Sequence, residues 1–275
     1  MGQVVHTLPE GKQVCGVALL AGEIYLLRWK ASDQVEVYDV ITYSFRRHVH
    51  VPDLCGFSDI TPCNYYRCVY IADNLAECIH RLEAQGAPKR WEVGDRPWGL
   101  SVNAAHNVLV TCLAARKIME FSSHGDLQRE ITLPSDVVNP WHAIQLIDGH
   151  YIVCHDRPSD TGDTADHLVS KITKDGSDIV RSMGGQSNMP CHLAVDDNDS
   201  VFVADVLKQR VTMVSSTFDD VRPVVSQDKL KGRPCQLYFD IPKRRLYVSD
   251  NEYENNEFRA GRVVVFSDDI VTRLL

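Results

Sequence analysis

The chain has 275 residues, 44% apolar and 24% charged, enough for a sizeable globular core. Its net charge of -8 lacks the basic excess of a nucleic-acid binder, and no apolar run is long enough to span a bilayer. No basic-then-apolar leader opens it, so the expected setting is cytoplasmic, and its nine cysteines, an odd number, are expected as free thiols.

Read from the N-terminus, the chain starts on "QVVHTLP" (3 to 9), which looks like "QREITLP" (128 to 134) from a later unit. Six segments then line up: "QVCGVAL" at 13, "DLCGFSD" at 53, "RPWGLSV" at 96, "NPWHAIQ" at 139, "MPCHLAV" at 189 and "RPCQLYF" at 233. Their Cys or Trp anchors, Cys15, Cys55, Trp98, Trp141, Cys191 and Cys235, are spaced by 40, 43, 43, 50 and 44 residues. Each anchor is followed by three short runs rich in Val, Ile and Tyr, parted by Gly, Asn, Asp or Pro, which is strand chemistry. Four strands in each of six units predict an all-β fold, a six-bladed β-propeller forming a single domain over 1–275. The blades are expected near 14–52, 53–95, 96–134, 135–185, 186–229 and 230–275. Residues 3–8 are expected to close the last blade as its outer strand, with 270–275 as a competitor. A start on an outer strand also fits a piece of a longer protein.

The stretch "VFVADVLKQRVTMVSS" (201 to 216) resembles the NHL-repeat pattern of aliphatic-Val-Ala-Asp, turn, Arg-Val, apolar run. "VYIADNLAECIHRLEA" (69 to 84) and "LYVSDNEYENNEFRAGRVVVFS" (246 to 267) are looser copies, and "RPWGLSV" resembles the leading Pro-x-Gly of that repeat. The first unit lacks both the leading Pro and the Asp. Many NHL propellers are the C-terminal domains of tripartite-motif proteins, where the propeller selects a protein or an RNA. This resemblance implies a substrate-recognition module of a ubiquitin-ligase-type protein. No RING, B-box or coiled-coil heptad occurs in the chain, so ligase chemistry itself is not expected here. Lyase members of the family hold a metal through His at the channel mouth.

In a propeller the first strand of each blade lines the channel, so Arg96, Trp98, Trp141, His142, His192, Arg233 and Gln236 are expected around its mouth as a partner-binding face. The two longest insertions, "DRPSDTGDTADH" (156 to 167) and "NEYENNEFRAGR" (251 to 262), fall on that face and are acidic, which favours a basic partner over phosphate. His142 and His192 share one slot in neighbouring blades and are the candidate metal ligands. The other slots, Gly16, Gly56, Gly99 and Gln236, offer no strong third ligand, so no metal or other cofactor is expected. The cysteine anchors alternate with Trp, which reads as packing. Cys55, Cys63, Cys68, Cys78 and His80 lack zinc-site spacing. Asp73, Asp156, Asp205 and Asp250 end second strands, and as repeated residues they read as turn acceptors.

No hydrolase, metalloprotease or nucleotide motif is present, so the expected function is a non-catalytic, monomeric module that binds a protein or peptide and meets neither membrane nor nucleic acid. The alternatives are an RNA-binding propeller and a metal-dependent enzyme of lyase or lactonase type.

Overall fold

A computed structural model describes residues 2–29, 33–83, 87–158, 166–185, 188–255 and 257–267. Six antiparallel sheets of four strands each make a β-propeller. The innermost strands are Val14–Leu20, Phe57–Cys63, Pro97–Val102, Val138–Gln145, Pro190–Val195 and Arg233–Asp240. Each contacts the next, and the last contacts the first, so the ring is closed. Among the described residues the only helical turn is the 3-10 segment Gln227–Lys229, and no helix is long and apolar enough to cross a membrane.

The core lies between blades rather than within them. A single twisted sheet has two faces to bury, and each blade buries both against its neighbours. Leu27, Val35 and Val37 of blade 1 pack on Ile60, Val69 and Ile71 of blade 2. Phe202 of blade 5 stacks on Phe239 of blade 6, with ring centroids 4.8 Å apart. The last joint, between blades 6 and 1, is filled by Tyr247, Val263 and Val265 against Val17, Ile24 and Leu26.

Closure uses the N-terminus, as expected. Val4–Thr7 pairs antiparallel with Glu257–Phe266, with Thr7 opposite Val264. Residues 270–275 lie outside the described residues. The seam is further tied by two polar side chains. Asn251 binds both backbone groups of Val14, accepting from its N–H at 2.9 Å and donating to its carbonyl at 3.0 Å. The Arg28 guanidinium donates to the carbonyls of Pro9, Lys12 and Gly261 and to Glu36.

Candidate functional site

Every innermost strand breaks register near its start. The shifts fall between Val14 and Gly16, Phe57 and Asp59, Pro97 and Gly99, Val138 and His142, Pro190 and His192, and Pro234 and Leu237. A bulge leaves a residue out of the ladder and re-aims its side chain. The residues set free include Cys15, Ser58, Trp98, Trp141, Cys191 and Cys235, and all six line one cavity of about 420 Å³. In blade 6 two residues are freed, and their N–H groups are satisfied by the Ser249 hydroxyl at 3.1 and 2.7 Å.

This ring corrects the blade 2 alignment. The residue in register with Cys191 is Ser58, not Cys55, and the residue in register with His192 is Asp59, not Gly56. Asp59 pairs opposite Ala72 just as His192 pairs opposite Ala204. Cys55 and Gly56 belong to the leading loop, where both N–H groups donate to Asp73. Three added loop residues had made "CG" look like the repeat.

The mouth cavity has two halves. Trp98 and Trp141 meet edge to face, with centroids 5.5 Å apart. The Trp141 indole N–H donates to Asp156, which is also held by Asn139 and His167. Opposite them stand Cys15, Cys191 and Cys235. Burial, with Cys235 adding, pushes the Cys15 thiol up to about 12, and hydrogen bonding to Cys235 and burial push Cys191 up as well. These two are thiols at neutral pH; with Cys235 they line the cavity, and Cys15 and Cys191 also pack against the apolar clusters behind it. Arg233 lies over the Tyr253 ring at 4.8 Å, and Gln236 reaches across to the Ser58 carbonyl at 3.5 Å.

The seven expected mouth residues therefore separate. Trp98, Trp141, Arg233 and Gln236 come together at the cavity. Arg96 is exposed outside it, 4.0 Å from Glu77. His142 and His192 are buried deeper and line a second cavity of about 220 Å³ towards the other end of the channel. Ser58, Asn74 and Tyr253 join the mouth without having been anticipated. Part of the first acidic insertion, 159–165, lies outside the described residues, and its flanks Arg157 and Asp166 form an ion pair. In the second insertion Arg259 pairs with Glu254 and Glu257, and Arg262 with Asp250, which neutralises much of its acidity locally.

The deeper site contains a third polar residue. Asp59 stands 3.5 Å from His142 Nε2 and 3.4 Å from His192 Nε2. The two imidazoles lie against each other with centroids 3.9 Å apart and planes tilted by 37°. Glycine in the neighbouring slots makes this approach possible: a Cβ on Gly99 would stand 2.6 Å from the Trp141 carbonyl and 2.9 Å from the His142 Cα. Burial, then the neighbouring His192, pushes the His142 pKa down to about 3, so its ring is neutral. A second three-residue cluster brings Asp73, Cys78 and His80 together; of the five cysteine-cluster residues considered from sequence, it uses Cys78 and His80.

The repeated aspartates divide. Asp73 and Asp205 accept turn N–H groups from Ala76 and Lys208. Asp250 accepts from Lys231, Gly232 and Arg262. Among the described residues, Asp156 serves side chains only.

No family model and no curated protein matches the chain. Its fold is similar to that of a PQQ-bound aldose sugar dehydrogenase from Streptomyces coelicolor, with a TM-score of 0.72 at 13% identity over 96% of this chain and 98% of that one. It is also similar to a catalytically inactive virginiamycin B lyase from Staphylococcus aureus with quinupristin, with a TM-score of 0.65 at 13% identity over 99% and 89% of the two chains. A protein of unknown function from Bacteroides thetaiotaomicron gives 0.67 at 13% identity over 97% and 72%. At such identities the likeness establishes the propeller fold alone.

Proposed function

We propose that the chain is a binding module whose mouth cavity takes an amphipathic group of a protein or peptide partner. One observation carries this reading: the six bulged residues, two adjoining tryptophans, an arc of three thiols and Ser58, build a concave site that Arg233 borders. Such a site combines apolar area with a few polar groups that fix orientation. The Trp pair suits an aromatic or branched side chain, and Arg233 suits a carbonyl or carboxylate beside it. The NHL-like repeats add support for a recognition role, including substrate selection for a ubiquitin-ligase-type protein. Binding from a displayed random peptide library tests it. Enriched peptides should lose affinity at least about tenfold on Trp98→Ala and on Arg233→Ala, the scale of a hot-spot residue. Failure to enrich any peptide, or enrichment indifferent to both substitutions, overturns it.

A second reading, a metal-dependent enzyme of lyase or lactonase type, is favoured by one observation. Asp59 joins His142 and His192 to give three metal-ligating groups in one place. Elution of metal and activity together by chelation would support it.

A further inference from the structure

We propose that Asp59, His142 and His192 form a mononuclear site for a divalent transition metal, with an open coordination position facing the cavity at the far end of the channel. The inference is independent of the mouth cavity. It deepens the second reading by defining the ligands, the class of ion and the side from which the ion is reached.

The first reason is charge. Asp59 is 1% exposed, and among the described residues its only ion-pair contacts are the two histidines. Buried carboxylates are paired with cations or coordinate metals. Here Oδ1 accepts the Ile60 N–H and Oδ2 the Leu100 N–H, both at 2.8 Å. Each oxygen keeps a second lone pair, and each has one imidazole beside it.

Distance is the second reason. The Asp59–His separations, 3.4 and 3.5 Å, are long for charge-assisted hydrogen bonds, which run at about 2.7–2.9 Å. Each matches the roughly 3.4 Å spacing of neighbouring ligand atoms that lie about 2.1 Å from a central zinc, and because they run to different oxygens the carboxylate would face the ion with both. Two imidazoles and one carboxylate suit first-row divalent ions, and three protein ligands leave a position for water or a ligand.

Access is the third. His142 and His192 line the far cavity, whose wall also carries Ser101 and Gln145. Loading moves each imidazole proton from Nε2 to Nδ1. Among the described residues His142 Nδ1 has no partner, so it can take the proton but gains no acceptor there, while Nε2 gives up the Leu100 carbonyl. For His192 the exchange costs the contact from the Leu237 N–H, already long at 3.3 Å. The Asp73–Cys78–His80 cluster lacks these features. The Asp73 carboxylate already accepts three backbone N–H groups, and neither Cys78 nor His80 lines either channel cavity.

The test is metal uptake by chelator-treated protein, read by calorimetry with Zn²⁺ and by the visible spectrum with Co²⁺. One equivalent is expected, with azide shifting the cobalt bands because a coordination position is open. Asp59→Asn and His192→Gln should each weaken uptake by more than about 100-fold, beyond the loss of an outer-shell partner, and His80→Gln should leave it unchanged. Zinc-edge X-ray absorption on the wild-type chain needs no variant to fold; it should show nitrogen and oxygen neighbours and no sulfur. A folded wild-type chain that takes up neither ion, uptake that survives both triad substitutions, or sulfur in the zinc shell would each overturn the site. A loaded site without turnover leaves this inference standing and removes only the enzyme reading.

Discussion

Asp59 Oδ1 lies 3.4 Å from His192 Nε2, although 133 residues separate the two in the chain. They come from blades on opposite sides of the ring, so the contact exists only once the propeller has closed. Both residues follow a bulged position at the start of an innermost strand. The same backbone irregularity therefore builds two sites: the bulged residue turns to the mouth, and the next residue turns to the axis.

The buried imidazole makes stability pH-dependent. His142 has an ordinary value of 6.5 and a folded value of about 3, lowered chiefly by burial. Above the ordinary value the ring is neutral in both states. Below it the unfolded chain binds a proton that the folded ring refuses, so stability falls, by at most about 1.4 kcal/mol per pH unit. The fall ends near the folded value. Unfolding free energies from urea titrations at pH 7 and pH 5 should therefore differ by roughly 2 kcal/mol more in wild type than in His142→Gln. Equal differences would mean that the ring titrates in the fold.

Arg28 joins the chain ends to the first blade. Its side chain is only 4% exposed and serves three carbonyls and Glu36. Arg28→Ala leaves Glu36 with only the Tyr38 hydroxyl and takes a donor from three carbonyls, of which Gly261 keeps the Gly11 N–H, so a loss of about 3 kcal/mol is expected, the lower end for breaking a buried pair. Arg28→Lys should recover little, because an ammonium lacks the planar fork that reaches all four acceptors. Guanidinium unfolding of the three proteins decides it, and a lysine variant of wild-type stability contradicts the account.

The repeat period was legible because each blade needs the same four short apolar strands, and closure was legible because residues 3–9 look like an outer strand. Trp98, Trp141, Arg233 and Gln236 were legible as mouth residues from the anchor alone. Asp59 was not. Blade 2 carries a leading loop in which Cys55 and Gly56 imitate the anchor, and only strand pairing shows that Asp59, opposite Ala72, holds the slot. The depth of His142 and His192 was equally hidden. Anchor and slot are adjacent in sequence, yet the bulge sends their side chains to different ends of the channel.

Asp73 illustrates a structural aspartate. Burial pushes its pKa up, but the bond from His80 and the backbone N–H groups of Cys55, Ala76 and Gly56 outweigh this and hold it well below the ordinary carboxylate range. Asp73→Ala leaves one buried and two part-buried N–H donors unpaired, and a loss of about 3 kcal/mol is expected. Asp175, in an exposed turn with Thr173 and Ser177, should lose less than about 1 kcal/mol on the same change. Thermal melts of the two variants side by side give the comparison, and similar losses would place the two aspartates in one role.

The thiols give a direct reading of the mouth. Cys55 is exposed, Cys15, Cys191 and Cys235 are half-buried at the cavity, and Cys63, Cys68, Cys78, Cys112 and Cys154 are buried. Alkylation needs both access and thiolate. Cys55 should therefore react first with iodoacetamide at pH 8. Of the mouth thiols, Cys15, held up at about 12, and Cys191, likewise raised, should follow slowly, while Cys235, which hydrogen bonding from Cys191 pushes down, should react ahead of them. The five buried thiols should react only after denaturation. A peptide that binds as proposed must cover the mouth, so it should slow labelling at Cys15, Cys191 and Cys235 and leave Cys55 unchanged. Peptide mapping by mass spectrometry resolves each position. Protection of Cys55 instead would move the partner to the leading loop of blade 2 and away from the Trp pair.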